Sequence, residues 1–110
     1  MTEPTIDAAT FAELEAAAGA DFARELIATF LEEAPLMLAE LRGTLAAGNA
    51  DAFRRVAHSL KSNSLTFGAL TLGAMARELE LKGLSGDAPL DALAGEYARA
   101  AAALTALRDA

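Results

Sequence analysis

His58 is the only histidine in this chain, and there is no cysteine, which sets narrow limits on the chemistry available. One imidazole and no thiolate leave zinc and haem-type sites without their usual ligands. Disulfides and thiolate nucleophiles are ruled out on the same count. A di-metal carboxylate bundle draws Glu-x-x-His pairs from two helices, and the sequence contains none. No glycine-rich phosphate loop of the GxxxxGKS, GxxxxGKT or GxGxxG kind is present. A Ser-His-Asp triad is compatible with spacing alone, but no serine sits on a nucleophile elbow.

The residues around His58 suit a phosphoryl acceptor. Such an imidazole must be reachable and largely neutral at pH 7, and free imidazole titrates near pH ~6.5. At 100° per residue His58 lies about 140° around a helix from Phe53, at the edge of the apolar stripe or outside it. Lys61, Ser62 and Leu65 follow at i+3, i+4 and i+7 on the same side, and Arg54 and Arg55 precede it by one turn. Their positive charge suits the oxygens of a transferring phosphoryl group. From Phe53 to Ala76 there is no Asp or Glu, although the chain as a whole carries a net charge of −7. A solvated basic face around an unreactive surface histidine accounts for the same residues.

Helices must position this segment, because no strand pattern occurs and Ala and Leu dominate. The first is expected over Ala8–Ala18, with Asp7 as its cap, Ile6 and Phe11 as a hydrophobic staple and Gly19 as its stop. The second runs from about Asp21 to Ala47. Phe22, Leu26, Phe30, Met37, Leu41 and Leu45 form its stripe, Ala34 fills the gap, and Pro35 bends it without ending it. Gly48 and Asn49 turn the chain into a third helix, Ala50–Thr66, with a stripe of Phe53, Val56, Ala57, Leu60, Ser64 and Phe67. Gly68 stops it, being free to take positive φ. The fourth, about Ala69–Lys82, buries Leu72, Ala76 and Leu79. Gly83 and Ser85-Gly86-Asp87 make the next turn. Pro89 opens a last helix bearing Leu90, Leu93, Tyr97, Ala101, Leu104 and Leu107. The predicted fold class is all-α: an antiparallel four-helix bundle with a short extra N-terminal helix, in one domain over residues 1–110.

Composition bounds the setting. At 54% hydrophobic, the 110 residues can bury one core. No apolar run reaches the ~18 residues of a membrane span. The start at Met1-Thr2-Glu3-Pro4 lacks the basic and apolar pattern of a secretion signal. The expectation is a cytoplasmic monomer. Its acidity argues against nucleic acid as a partner.

The segment AHSLKSNSLTFGALTLGAMARELE, Ala57 to Glu80, resembles the signature region of histidine-containing phosphotransfer (HPt) domains. Ala57, His58, Leu60, Lys61, Gly68, Ala69, Leu79 and Glu80 stand in register with that family's Ala-His-x-Leu-Lys start, its glycine ten residues after the histidine and its Leu-Glu pair. FLEEAPLMLAEL with its mid-helix proline and the Gly-Asn turn before Phe53 extend the likeness. Ser62 departs from the glycine that many members carry after the lysine, which tightens access to His58.

The resemblance implies that His58 accepts a phosphoryl group from a receiver-domain aspartyl phosphate and passes it to another receiver. Receivers of response regulators or hybrid histidine kinases are thus the implied partners. Magnesium belongs to the receiver, so no cofactor or metal is implied for this chain. Lys61 is implied to stabilise phosphoryl oxygens, and Glu80 to orient the imidazole through its other nitrogen. Ser62 and Leu65 are implied in docking, with Arg54 and Arg55 at the rim, and Gly68 in the turn. Each role has a plainer counterpart: a solvated face for the cations, core for Leu65, and a local pairing with Lys82 or Arg77 for Glu80. Two rival functions stand beside this one. The first is a non-catalytic helical interaction module that binds a signalling partner through the same face. The second is a detached phosphoacceptor domain of a chemotaxis-type kinase, which would depend on a separate ATP-binding domain.

Overall fold

The structure, a computed structural model, describes residues 5–84 and 88–110. All regular structure among them is helical: α1 (Ala8–Ala18), α2 (Ala20–Ala47), α3 (Ala50–Thr66), α4 (Leu70–Lys82) and α5 (Leu90–Asp109). The expected Ser85-Gly86-Asp87 turn and the Met1–Pro4 start lie outside the described residues. Helices α2 to α5 close into an antiparallel four-helix bundle, α2 packing on α3 and α5, and α4 on α3 and α5. The short α1 lies against α2 and α3.

The ends of the helices follow from their caps. The Asp7 carboxylate accepts from the Thr10 amide at 3.0 Å, and Ile6 and Phe11 are both buried on either side of that cap. The Thr10 hydroxyl and amide hold the Asp7 carboxyl below its ordinary range. Gly48, at φ 68°, ends α2, and the Asn49 side chain caps α3 by accepting from the Ala52 amide at 3.1 Å. Pro35 leaves α2 unbroken. It cannot donate to the Leu31 carbonyl, which instead lies 3.5 Å from the Tyr97 hydroxyl of α5, a long and weak bond.

The core is built from Ile27, Phe30, Leu41, Phe53, Leu60, Leu72, Leu93 and Leu104 with small alanines between them. Phe30 lies within it, its ring 5.2 Å from that of Phe67 and 6.0 Å from that of Tyr97. Ser64 is fully buried in this layer and donates to the Leu60 carbonyl at 2.7 Å, so no hydroxyl is left unsatisfied.

Two expected stripes are corrected. On α2 the buried line is Ala23, Ile27, Phe30, Ala34 and Leu41, while Phe22 is 51% exposed. Steps of four residues drift about 40° each around a helix, so going back from the buried Phe30 through the half-buried Leu26 the row rotates until Phe22 lies outside the core that Ala23 and Ile27 face. On α5 the line passes through Glu96 and Ala100 rather than Ala101, and Leu107 is largely outside it. The buried Glu96 carboxylate is held by Arg99 at 2.9 Å.

Gly68 joins α3 to α4 and is pinned from a third side. Its φ is +83°, its carbonyl accepts from the Asp7 amide at 2.7 Å, and a Cβ there would lie 2.8 Å from the Asp7 carbonyl oxygen. Both the left-handed backbone and the close approach of α1 therefore require glycine. Gly68→Val is expected to cost about 2 kcal/mol or more, from the combined backbone and packing strain. A thermal or denaturant melt checks it, and an unchanged midpoint would contradict this assignment.

Candidate functional site

The antiparallel hairpin of α3 and α4 assembles the site. Leu65 of α3 packs over Gly73 of α4. Seven residues earlier on α3 and seven later on α4, His58 meets Glu80. Seven residues is close to two helical turns, so both contacts repeat on one face of each helix. The apolar stripe of α3, from Phe53 through Ala57 and Leu60 to Ser64, is buried and fixes the rotation that turns His58 outward.

Glu80 is the hub. Its Oε2 lies 2.5 Å from His58 Nδ1, and its Oε1 accepts from Lys61 Nζ at 2.8 Å. The His58 side chain is 60% exposed, whereas those of Glu80 and Lys61 are 22% and 21% exposed. The ring is thus open to an incoming group while its supports are sheltered. The hydrogen bond from Lys61, above all, holds the Glu80 carboxyl below the ordinary glutamate range; burial opposes it, and the contact with His58 adds a lesser lowering. An ionised carboxylate only accepts, so His58 Nδ1 is the donor. In the neutral ring the lone pair then belongs to Nε2, which has no hydrogen-bond partner among the described residues.

The structure thus brings His58, Lys61 and Glu80 together. Glu80 does not pair locally: Lys82 reaches Glu78 at 3.5 Å, and Glu80 crosses to α3. Lys61 is not an open cation beside the imidazole, but the second partner of the carboxylate that holds it. The other predicted residues form the surroundings. Ser62 is exposed, and Leu65, 41% exposed, is not core. Arg54 pairs with Asp51 at 3.1 Å on the exposed side of α3. Arg55 lines a shallow groove against α2 with Met37, Glu40, Val56 and Ser59. Gly68 lies at the turn, away from the imidazole. The Lys61–Glu80 pairing and the role of Gly73 were not anticipated. The mid-helix glycine was a signal for a close approach, but nothing in the sequence named Leu65 as its neighbour.

The acid-free stretch around His58 receives its carboxylate from 22 residues further along the chain. An exposed imidazole with one nitrogen held and the other bare is equipped for nucleophilic attack, with a carboxylate behind it to balance the charge that develops on the ring.

Comparison with known proteins agrees with this architecture. No curated protein matches the chain. Among solved structures it is similar to the crystal structure of histidine-containing phosphotransfer protein B (HptB) from Pseudomonas aeruginosa PAO1. The identity is 29% and the TM-score 0.88, over 98% of this chain and 97% of that one. No described helix is long and apolar enough to cross a membrane. Residues 25–110, which include all of α3, α4 and α5 and the His58–Lys61–Glu80 cluster, match the family model of the Hpt domain, and the chain belongs to that family.

Proposed function

We propose that this protein is a phosphoryl carrier in a phosphorelay, loaded on His58 Nε2 by one receiver domain and unloaded by another. The observation that carries the reading is the His58–Glu80 contact, which occupies Nδ1 and leaves Nε2 on an exposed ring.

In the loading step the Nε2 lone pair attacks phosphorus in line with the aspartyl carboxylate of the receiver. The N–P bond forms as the O–P bond breaks, and the aspartate leaves as a carboxylate. The ring keeps its Nδ1 proton, and the positive charge that builds on the imidazole faces the Glu80 carboxylate. Lys61 holds that carboxylate in place, and from there its ammonium is one turn from the incoming oxygens. Unloading is the same path in reverse on a second aspartate. Magnesium belongs to the receiver in this scheme. The docking surface is the exposed side of α3: Ser62 and Leu65 near the ring, with Arg54 and Arg55 at its edge.

The test is incubation with receivers from the same genome, phosphorylated beforehand, following label onto this chain and then onto a second receiver. Label that never leaves any phosphorylated receiver for this protein would overturn the proposal. A companion prediction concerns the source of the phosphoryl group. The sequence holds no phosphate-cradling loop, so the protein on its own is expected neither to bind ATP nor to label itself. Micromolar ATP binding by calorimetry would contradict that.

A further inference from the structure

Gly73 stands in the interior of α4, where glycine is the poorest helix former apart from proline. It is buried and carries no positive φ, so nothing in its own backbone calls for glycine. What calls for it is Leu65. A Cβ at position 73 would lie 2.6 Å from Leu65 Cδ2 and 2.9 Å from Leu65 Cγ, while the backbone of α3 comes no closer than the Lys61 carbonyl oxygen at 3.7 Å. The Leu65 side chain therefore occupies the space that any other residue at 73 would fill. It still shows 41% of its surface to solvent. Leu65 also lies seven residues beyond His58, on nearly the same stripe of α3.

We infer that Gly73 is a positioning residue for partner docking: it receives the Leu65 side chain against the α4 backbone and so sets the height of the apolar contact beside His58. This rests on the docking surface proposed above. The partner it fits is a receiver domain that presents an apolar patch next to its acidic phosphoacceptor pocket. With alanine at 73, Leu65 must swing up and away from α4. The partner then meets a displaced isobutyl group, although this chain has lost no residue that touches it. The hydrogen bonds of His58 and Lys61 to Glu80, two turns along, do not pass through this contact.

The test uses the whole chain and the receiver with which the wild type exchanges label fastest. In the wild type, the Leu65 methyl protons should show nuclear Overhauser contacts to the Gly73 α-protons. Their absence would overturn the inference before any variant is made. Gly73→Ala should keep or raise the melting temperature, since alanine is the better helix former, and should shift the Leu65 methyl resonances. Receiver affinity should weaken about five-fold or more, as for a displaced interface anchor. In a Leu65→Ala background the same substitution should change affinity by less than about 1.5-fold, the non-additivity expected of one shared contact. Equal losses in both backgrounds, or unchanged affinity in the single variant, would overturn the role given to Gly73. A wild-type protein that binds no receiver would remove the proposed function itself, an outcome visible before the variants are compared.

Discussion

His58→Gln will neither take label from a phosphorylated receiver nor deliver any, with transfer falling to the uncatalysed background. Glutamine keeps roughly the length and polarity of the imidazole but has no nitrogen lone pair able to attack phosphorus at neutral pH. His58 is also the only histidine in the chain, so no second imidazole can substitute. The fold should be untouched: the side chain is 60% exposed, and the buried stripe of α3 lies on the other side of the helix. The label on the wild-type protein should be a phosphoramidate, lost in acid and retained in alkali. A serine or threonine phosphate shows the opposite acid stability, and this chemistry separates His58 from the neighbouring Ser59 and Ser62. A variant that still carries label would move the site elsewhere and leave the His58–Glu80 pair as a structural contact.

The physical signals that made the fold legible are local ones. Asp7, Gly48, Asn49 and Gly68 are caps and stops whose effect needs only neighbouring backbone, and the helix ends they predict agree with the structure to within a residue. Periodicity worked wherever a stripe was narrow, as along Phe53, Ala57, Leu60 and Ser64. It failed at Phe22 and Leu107 near helix ends: four-residue steps carry Phe22 round the helix from the line through Ala23 and Ile27, and Leu107 lies largely outside the buried line of α5. Glu96 is buried although a carboxylate in a core line carries the sequence signal of polar surface. Only the structure shows Arg99 folding back over it.

The site divides in the same way. The sector of α3 that carries His58 followed from helix geometry, and the family likeness supplied Glu80 as a candidate partner. The choice between that partner and local pairing depended on the register of α3 against α4. That register belongs to the whole packed face of the α3–α4 hairpin, along which Leu65 lies over Gly73 and His58 meets Glu80. Lys61 shows the consequence. Read one residue at a time it is a cation facing solvent beside a reactive ring. In three dimensions it is four-fifths covered and holds the carboxylate.

That difference makes Lys61 and Glu80 one functional unit in the proposed reaction, with a measurable outcome. Glu80→Gln keeps the shape but loses the charge that balances the developing imidazolium, and a neutral amide no longer compels Nδ1 to be the donor. Transfer is expected to slow about ten-fold or more. Lys61→Ala should slow it by about the same factor, because the ammonium that holds the Glu80 carboxylate in place is gone. In the double variant the losses should not multiply: a rate within about three-fold of the slower single variant indicates that Lys61 acts through Glu80. A rate near the product of the two losses would show that Lys61 contacts the phosphoryl group independently. The acid limb of stability gives a second readout. The native Glu80 carboxyl is held below the ordinary value of 4.5. Its contribution is therefore present above that value and disappears as pH falls through the lowered one. The melting temperatures of wild type and Glu80→Gln should accordingly converge as pH is taken below about 4.5. If the gap instead widened in acid, the carboxyl would be holding its proton in the native state, and Nδ1 would be accepting rather than donating.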